Sequence, residues 1–337
     1  MTVLTDTLFR PLRDLRISLT DRCNFRCRYC MPKEVFGPNF QFLPKDTLLT
    51  DDEIERLARI FVSLGVRKLR LTGGEPLLRP HLEQLIARLA GIPSVEDISL
   101  TTNGSLLTHD KALQLKEAGL KRVTISLDAL DDDTFMRLND VECSSEPILS
   151  AIDAALEAQL MPVKVNMVVI KGINEKQVVP LAERFRGTDV IVRFVEFMDV
   201  GNSNHWQMQK VYPAKDIVTS LNDRWPLVPV QRSQPGEVAT RYQYADGQGE
   251  IGIISSVTTP FCGACTRARL SAQGKLFLCL FASSGFDLQQ YLRRGESDEA
   301  ITDAIRSIWS NRDDRYSELR SSQSVAKSKV EMSHIGG

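Results

Sequence analysis

Short apolar runs alternate with longer amphipathic segments between residue 15 and about residue 198. The short runs are rich in β-branched and aliphatic residues, whereas the longer segments have helical spacing. Six runs are candidate strands, at residues 15–19, 68–71, 97–101, 122–127, 163–170 and 190–197. The pattern predicts about six βα units. Because six parallel strands are too few to close an eight-stranded barrel, we expect an α/β fold with an open, partial TIM-type barrel.

Two helices carry clear boundary signals. Thr50, followed by three acidic residues, begins the segment that ends at Leu64, and Thr108 begins the segment that ends at Ala118. A glycine follows each helix and is expected to stop it.

The alternation of short apolar runs with amphipathic segments ends after Gly201. Prolines and glycines then separate short strands, and two helical stretches follow within residues 287–309. We expect residues 1–230 to form the barrel and residues 231–337 to form a C-terminal α+β region that covers its opening. The tail from Asn311 is polar and rich in Ser and Lys, a composition typical of a flexible end.

Composition narrows the class of protein. The 337 residues are 42% hydrophobic and 25% charged, which suits a globular chain with an ample core. Lys and Arg total 42 against 43 for Asp and Glu, so no global field recruits nucleic acid or an anionic membrane. No signal peptide or spanning segment is evident, and we expect a cytoplasmic protein. The seven cysteines form two groups of three, with Cys143 left over, which favours metal ligation in a reducing compartment over disulfides.

The first group is Cys23, Cys27 and Cys30, in the loop after the first predicted strand. Three thiolates on a 4Fe–4S cluster leave one iron without a protein ligand and free to chelate a small molecule. The alternative is a zinc knuckle, but it lacks a fourth ligand, and none of the four histidines is near this loop.

Polar residues follow several strands. Gly73-Gly74-Glu75-Pro76 comes after the second strand, where two glycines allow close approach of a ligand. Further polar runs lie at residues 101–104, 126–128, 164–166 and 196–198. We expect these runs to converge on the rim at the carboxyl ends of the strands, where barrel enzymes bind ligands.

The second group is Cys262, Cys265 and Cys279, again without a fourth cysteine. It indicates a second cluster with an open iron, with a zinc ribbon as the alternative. Arg267 and Arg269 alternate along a predicted strand, so both guanidinium groups should point to one face beside this cluster and could clamp phosphates.

Five more cations lie on or beside the barrel strands, at positions that include the inward face: Arg16, Lys68, Arg70, Lys164 and Arg193. Burying several cations together is costly unless an anion neutralises them. A triphosphate would do so.

The Cys23–Cys30 spacing, the following Met31-Pro32 and the Gly-Gly-Glu-Pro run resemble the radical S-adenosylmethionine (SAM) superfamily. Within it, the opening at residues 15–27 and the closing Ser-His-Ile-Gly-Gly at residues 333–337 resemble the GTP 3',8-cyclase family of molybdenum cofactor biosynthesis. The resemblance covers essentially the full length. It implies that a 5'-deoxyadenosyl radical abstracts the C3' hydrogen of GTP, giving (8S)-3',8-cyclo-7,8-dihydro-GTP.

The same resemblance implies roles for particular residues. Cys23, Cys27 and Cys30 would bind the first 4Fe–4S cluster, and Cys262, Cys265 and Cys279 the second. Tyr29, Gly74, Ser126 and Met198 would contact SAM. GTP would contact Arg16, Arg70, Thr101, Lys164, Arg267, Ala268 and Arg269. Arg16, Arg267, Arg269, Gly336 and Gly337 are the candidate catalytic residues, the two glycines being inserted toward the active site.

The resemblance also implies partners: a reduced flavodoxin or ferredoxin as electron donor, a cyclic pyranopterin monophosphate synthase that receives the product, and a second copy in a homodimer. Two alternatives stay open, a radical SAM enzyme that modifies a peptide and a non-catalytic iron–sulfur or zinc protein. The chain departs from the family at Thr266, where Asn is common, and at residues 139–143, where a Gly is usual. We expect the latter stretch to lie in an outer loop.

Overall fold

Twelve strands form one continuous sheet across the residues that the computed structural model describes, which are 3–231, 236–320 and 328–336. The strands are β1 (Asp14–Ser18), β2 (Lys68–Thr72), β3 (Asp97–Thr102), β4 (Arg122–Ser126), β5 (Val163–Val169), β6 (Val190–Glu196), β7 (Leu227–Val230), β8 (Thr240–Tyr244), β9 (Glu250–Ile254), β10 (Arg267–Leu270), β11 (Lys275–Phe277) and β12 (Phe286–Asp287). Their order is β12-β11-β10-β1-β2-β3-β4-β5-β6-β9-β8-β7.

The first six strands match the six predicted runs to within one residue at each end. Neighbouring strands from β1 to β6 pair in parallel. The predicted open, partial barrel of βα units is confirmed.

The C-terminal region adds strands to both edges of this barrel. Strand β10 pairs in parallel with β1, and β9 pairs in parallel with β6, so eight parallel strands lie side by side. Antiparallel strands then extend each edge. Strand β7, which ends at Val230, pairs with β8, which begins at Thr240, so strands from both sides of residue 230 belong to the same sheet. The division into residues 1–230 and 231–337 stays a prediction.

Eleven α-helices are present in the described part of the chain. They are α1 (Asp51–Ser63), α2 (Leu82–Ala90), α3 (His109–Glu117), α4 (Asp132–Asn139), α5 (Glu146–Glu157), α6 (Val178–Phe185), α7 (Ala214–Asn222), α8 (Gln289–Arg293), α9 (Asp298–Ser310), α10 (Tyr316–Leu319) and α11 (Met332–Ile335). None of these helices has both the length and the apolar character needed to cross a lipid bilayer.

The two helices with predicted boundaries begin and end as expected. Thr50 and Glu53 form a reciprocal capping box at the start of α1, and the Thr108 side chain accepts a hydrogen bond from the backbone of Lys111 in α3. The glycines that follow have φ values of 115° and 109°, which favour glycine and end each helix.

Alternation along β5 explains why the barrel interior is polar. Val163, Val165, Met167 and Val169 are buried in the main hydrophobic core, among residues from the flanking helices. The residues between them include Lys164 and Asn166, which belong to the opposite face of the sheet. The side of the sheet that faces away from the core therefore carries charged and amide groups, and it forms the candidate site.

The composition-based expectation of a flexible end is wrong for the described part of the tail. Residues 328–336 contain α11, which contacts β1, and Ile335 is completely buried. Backbone pairing of Val330 with Ala282 adds to this anchoring (N···O 2.9 Å). Gly337 lies outside the described residues.

The capping box of α1 gives a test of the fold. Replacing Thr50 by Ala removes the hydroxyl that accepts from the Glu53 amide at 3.1 Å, and we expect the free energy of unfolding to fall by about 1 kcal/mol. Urea unfolding measures this change. Thr302→Ala is the matched control, since Thr302 lies within α9, where alanine is a good helix former. An equal loss in both variants would contradict the capping account.

Candidate active site

The first group of cysteines lies in the loop after β1. A tight turn brings Cys27 and Cys30 together, because the amides of Cys30 and Met31 both donate to the Cys27 carbonyl at 2.9 and 2.8 Å. Burial raises the pKa of Cys23 to about 11. Burial also raises the pKa of Cys27 and of Cys30, and neighbouring thiolates raise both further. The three thiols are therefore close neighbours in a poorly solvated pocket.

Arg26 fixes the shape of this loop from within. Its guanidinium group donates to the carbonyl oxygens of Cys23, Phe25 and Phe36 at 2.7–2.8 Å. These bonds fold the chain back across the loop and orient the Cys23 backbone.

Residues 140–143 lie outside any helix or strand and Glu142 is exposed, as expected for a loop, but the start of this stretch contacts the first cysteine loop. The Arg26 amide donates to the Asn139 carbonyl at 2.9 Å, and the Arg28 amide donates to the Leu138 carbonyl at 3.1 Å. Helix α4 ends at Asn139, and these two backbone bonds join its end to the cysteine loop. Sequence spacing alone could not show this contact, since more than 100 residues separate the two segments.

The Gly-Gly-Glu-Pro turn after β2 is the next part of the site. A Cβ at Gly74 would lie 2.2 Å from the Arg22 carbonyl oxygen, so the glycine lets the turn pack against the cysteine loop. The buried Glu75 carboxylate accepts from Thr102 Oγ1 at 2.7 Å and from the Asn103 amide at 2.8 Å, joining this turn to the end of β3. Burial raises the pKa of Glu75 to about 7.

The residues predicted to contact SAM lie in segments that follow β1, β2, β4 and β6 or end them. Ser126 is the last residue of β4, and Met198 lies two residues beyond β6. The Tyr29 hydroxyl donates to the carboxylate of Asp128 at 2.7 Å. Burial raises the pKa of Asp128 to about 6. Asp128 was noted in the sequence only as part of a polar run, and the structure gives it a partner in the cysteine loop.

The second group of cysteines lines one cavity. Cys262, Cys265 and Cys279 all border a space of ≈ 170 Å³, together with Met198 and Thr101. Thr101 Oγ1 is buried without a hydrogen-bond partner, which suits a polar ligand atom. Because Met198 lines the same cavity, the space reaches from the second cysteine group to the end of β6.

Cys265 differs from the other cysteines in its electrostatics. Burial tends to raise its pKa, but the guanidinium groups of Arg267 and Arg312 outweigh that effect and lower the pKa to about 6. Both groups donate to Cys265 Sγ at 3.2 Å. Burial instead raises the pKa of Cys279 to about 11. Cys265 is therefore prepared as a thiolate, the form that ligates metal.

Both cysteine groups fit iron–sulfur clusters. All six donors are thiols, the donor type that such clusters use. Among the described residues, no three His, Cys, Asp or Glu side chains converge closely enough to hold one metal ion. The assignment to clusters therefore rests on the donor type and on the grouping of the cysteines in threes.

Strand register places three arginines side by side. Arg16 of β1 is directly opposite Arg70 of β2 on one side and Arg269 of β10 on the other. Burial, reinforced by the neighbouring guanidinium groups, lowers the pKa of Arg16, and it lowers the pKa of Arg70 and of Arg269 to about 10. We call Arg70, Arg16 and Arg269 the arginine row.

Carboxylates pair with other cations of the same interior instead. A second cavity, larger than the first at ≈ 510 Å³, is lined by Arg122 and Arg241. Arg122 forms an ion pair with Asp97 at 2.5 Å, and Arg241 forms one with Glu250 at 2.6 Å. Within the described ranges, no ion pair joins the arginine row to a carboxylate. The nearby Asp14 carboxylate offsets the loss of pKa at Arg16 and Arg70 only in part, so the row stays a positive surface. Arg16 and Arg70 line both cavities.

Lys164 lies apart from the strand-end rim where the sequence placed it. It is the second residue of the seven-residue strand β5, so it lines the larger cavity near the opposite end of the barrel. The expected convergence is therefore wrong for Lys164, whereas Asn166 of the same run lines the smaller cavity with Thr101 and Met198. Burial, with the nearby Arg193, lowers the pKa of Lys164 to about 7.

The face of β10 agrees with the predicted alternation. Arg267 and Arg269 both line the smaller cavity, whereas Ala268 between them lies in the hydrophobic core and lines neither cavity. Arg267 Nη1 is buried without a hydrogen-bond partner. Arg269 donates to the Gly336 carbonyl, so the end of the chain reaches the arginine row.

A clamp around Asp199 holds the tail in this position. The Asp199 carboxylate accepts from Tyr316 Oη, Arg320 Nε at 3.0 Å and Lys329 Nζ at 2.8 Å. The Tyr316 ring stacks on Phe281 with centroids 4.4 Å apart. Sequence reasoning missed Asp199, although it directly follows Met198, because its partners lie more than 100 residues away.

Comparisons with known proteins agree with this geometry. Residues 17–185 match the Radical SAM superfamily, and residues 190–318 match Molybdenum Cofactor Synthesis C. The fold is similar to that of SuiB from Streptococcus suis, solved bound to S-adenosylmethionine, with a TM-score of 0.61 and 15% identity over 88% of this chain and 68% of that chain. These matches define a radical SAM protein with a C-terminal region of the molybdenum cofactor synthesis type.

Two relatives define the family more narrowly. The GTP 3',8-cyclase of Acidothermus cellulolyticus is 51% identical over 359 residues, and that of Staphylococcus saprophyticus is 48% identical over 338 residues. Each alignment covers 99% of both chains. The chain belongs to the GTP 3',8-cyclase family.

The Asp199 clamp predicts how firmly the tail is held. Asp199→Asn removes the charge that binds Arg320 and Lys329, and a hydrogen bond to a charged group contributes about 1.5–3 kcal/mol. We expect hydrogen exchange in residues 328–336 to accelerate roughly tenfold or more, measured by mass spectrometry of peptides. Asp303→Asn, at the exposed Arg306 pair, is the control and should leave the tail unchanged. Unchanged exchange in Asp199→Asn would contradict the clamp.

Proposed function

We propose that this chain converts GTP to (8S)-3',8-cyclo-7,8-dihydro-GTP, the first step of molybdenum cofactor biosynthesis. The observation that carries the proposal is the arginine row, which lines one cavity with the second group of cysteines and forms no ion pair with a carboxylate of the described residues. A nucleoside triphosphate supplies the negative charge that this row lacks. Membership in the GTP 3',8-cyclase family supports the same substrate.

The cofactors are two 4Fe–4S clusters and SAM. We assign Cys23, Cys27 and Cys30 to the first cluster and Cys262, Cys265 and Cys279 to the second. When bound, the first cluster supplies the electron that cleaves SAM, which provides the radical that takes the C3' hydrogen of GTP. Tyr29, Gly74, Ser126 and Met198 are proposed to surround SAM, since they lie around the carboxyl ends of the strands beside the first cysteine loop.

The chain's own groups bind and orient the substrate. Arg16, Arg70 and Lys164 face the two cavities and would hold phosphate oxygens. Thr101 Oγ1 and Arg267 Nη1, both buried without partners, would take polar atoms of the nucleotide. Arg269 is held by the Gly336 carbonyl, which fixes one end of the row. Such positioning keeps C3' near the reacting radical and keeps water out.

The electron donor is proposed to be a reduced flavodoxin or ferredoxin, and the product is proposed to pass to a cyclic pyranopterin monophosphate synthase. A homodimer is likewise proposed. These three assignments are supported by the family alone.

Isotope transfer tests the proposed function. Reconstituted protein is incubated without oxygen with reductant, SAM and GTP that carries deuterium at C3'. Mass spectrometry of the 5'-deoxyadenosine should find deuterium in it. Unlabelled 5'-deoxyadenosine would overturn GTP as the hydrogen donor, and GTP without deuterium is the control.

Removing one member of the arginine row should affect binding and stability in opposite directions. Arg70→Gln removes a charge-assisted contact with phosphate, and we expect the Kd for GTP to rise about 10- to 150-fold. It also relieves repulsion with Arg16, so the Tm of the ligand-free protein should rise. Calorimetry and thermal unfolding measure the two effects. Arg59→Gln, at an exposed position on α1, should change neither. A lower ligand-free Tm with unchanged GTP binding would contradict this account.

The lowered pKa of Lys164 predicts proton uptake when GTP binds. At pH 8 a lysine with a pKa of about 7 is mostly neutral, and a neighbouring triphosphate raises the pKa and favours the charged form. GTP binding at pH 8 should therefore take up a proton and weaken as pH rises above 7. Calorimetry in two buffers of different ionisation enthalpy counts the protons. The uptake should disappear in Lys164→Met and persist in Lys121→Met, whose side chain is exposed. Equal uptake in both variants would contradict the assignment.

A further inference from the structure

A buried charged network joins the start of the chain to its C-terminal region. Asp6 Oδ2 accepts from Arg10 Nε at 2.6 Å and from Arg312 Nη1 at 3.2 Å. All three side chains are almost completely buried. The other Asp6 oxygen accepts from the amides of Leu8 and Arg10 at 3.0 and 2.9 Å, which folds residues 6–10 into a turn. The two guanidinium groups are thus held in fixed positions by one carboxylate.

The same two arginines hold the second cysteine loop. Arg10 Nη1 donates to the Cys262 carbonyl at 2.9 Å and to the Asp314 carbonyl at 2.8 Å. Arg312 Nη1 donates to the Cys265 carbonyl at 2.8 Å. Arg10 therefore fixes the backbone of Cys262, and Arg312 fixes that of Cys265.

Arg312 makes one contact that Arg10 does not make. Its Nη2 donates to Cys265 Sγ at 3.2 Å, so one guanidinium group bonds both the carbonyl and the sulfur of the same cysteine. The guanidinium group also stacks on the Trp309 ring, 4.6 Å from its centroid, and the Trp309 indole donates to the Arg10 carbonyl at 3.2 Å. The Asp314 carboxylate lies 3.8 Å from Nε. The Arg312 side chain is therefore held by several partners at once, and it borders the smaller cavity beside the Cys265 sulfur.

We propose that Arg312, held by Asp6 and Arg10, is a positioning residue for the second cluster, fixing the Cys265 sulfur and placing a buried positive charge beside it. The inference rests on the proposed function, because it takes Cys262, Cys265 and Cys279 as cluster ligands. Groups that hydrogen-bond to ligands orient them and tune the metal centre. Arg267 also reaches the Cys265 sulfur, and both arginines line the smaller cavity, but only Arg312 also bonds the Cys265 carbonyl and the buried Asp6 carboxylate.

Two measurable properties follow from this placement. A hydrogen bond from a cation withdraws electron density from the sulfur and stabilises the reduced cluster, so Arg312 raises the reduction potential. The two Arg312 contacts, with the carbonyl and the sulfur of Cys265, form a fork that keeps Cys265 in place as a cluster ligand. This fork should slow the loss of iron from the cluster. Both properties belong to the cluster and can be measured without turnover.

The experiment uses the full-length chain with Cys23, Cys27 and Cys30 replaced by Ala, so that only the second cluster is reconstituted. In this background, Arg312→Gln is compared with the unchanged residue. We expect a more negative reduction potential in a redox titration followed by electron paramagnetic resonance. We also expect iron to pass to a chelator roughly 10-fold or more faster. Arg306→Gln, at an exposed arginine on the neighbouring helix α9, is the matched control and should change neither value.

Unchanged potential and unchanged iron release in Arg312→Gln would overturn the inference while leaving the proposed function intact. A background chain that binds no iron and sulfide would overturn the second cluster itself, and the inference with it. Circular dichroism of the iron-free chains checks folding. If Arg312→Gln does not fold, Arg312→Lys decides the question, because lysine keeps the charge but cannot form the planar fork. Iron release from Arg312→Lys as slow as from the parent would then overturn the inference.

Discussion

Three guanidinium groups lie side by side on adjacent parallel strands, and the rest of the site is arranged around the repulsion between them. Neighbouring strands are about 4.8 Å apart, so the register that pairs Arg16 with both Arg70 and Arg269 keeps like charges close. Burial adds to the cost, since no carboxylate of the described chain forms an ion pair with the row and the nearby Asp14 offsets the repulsion only in part. The fold holds this arrangement because the opposite face of the sheet buries a large apolar core. An anionic substrate relieves the repulsion. The closeness of the three guanidinium groups therefore contributes both to the affinity for the substrate and to the preference for an anion.

The C-terminal region completes this arrangement. Strand β10 brings Arg269 into register with Arg16, and the cysteine turn that precedes β10 places the second group of thiols beside the same cavity. The tail then returns across the barrel, and its Gly336 carbonyl accepts from Arg269. A Cβ at Gly336 would lie 2.3 Å from Thr72 Cγ2, so the chain could not approach the end of β2 this closely with a larger residue. The same C-terminal segments therefore cover the barrel and supply part of the site.

Much of the fold could be predicted from the sequence, because its signals are local. The short runs of β-branched and aliphatic residues located six strands, and the capping residues Thr50 and Thr108 located two helix starts. The cysteine spacings likewise identified both thiol groups. Contacts between distant segments were beyond reach: the packing of residues 139–143 on the first cysteine loop, the Asp199 clamp, and the fork of Arg312 on Cys265. Lys164 was grouped with the strand ends although the predicted strand at residues 163–170 already put it near the strand start, where the structure finds it.

The central claim is that the arginine row recognises the phosphates of a nucleoside triphosphate. Calorimetric titration of the reconstituted protein, at fixed salt and pH, with GTP, GDP, GMP and guanosine tests it most directly. We predict that the affinity falls at each step as a phosphate is removed, and that the difference between GTP and GMP shrinks in Arg70→Gln. Guanosine binding as tightly as GTP would contradict the account.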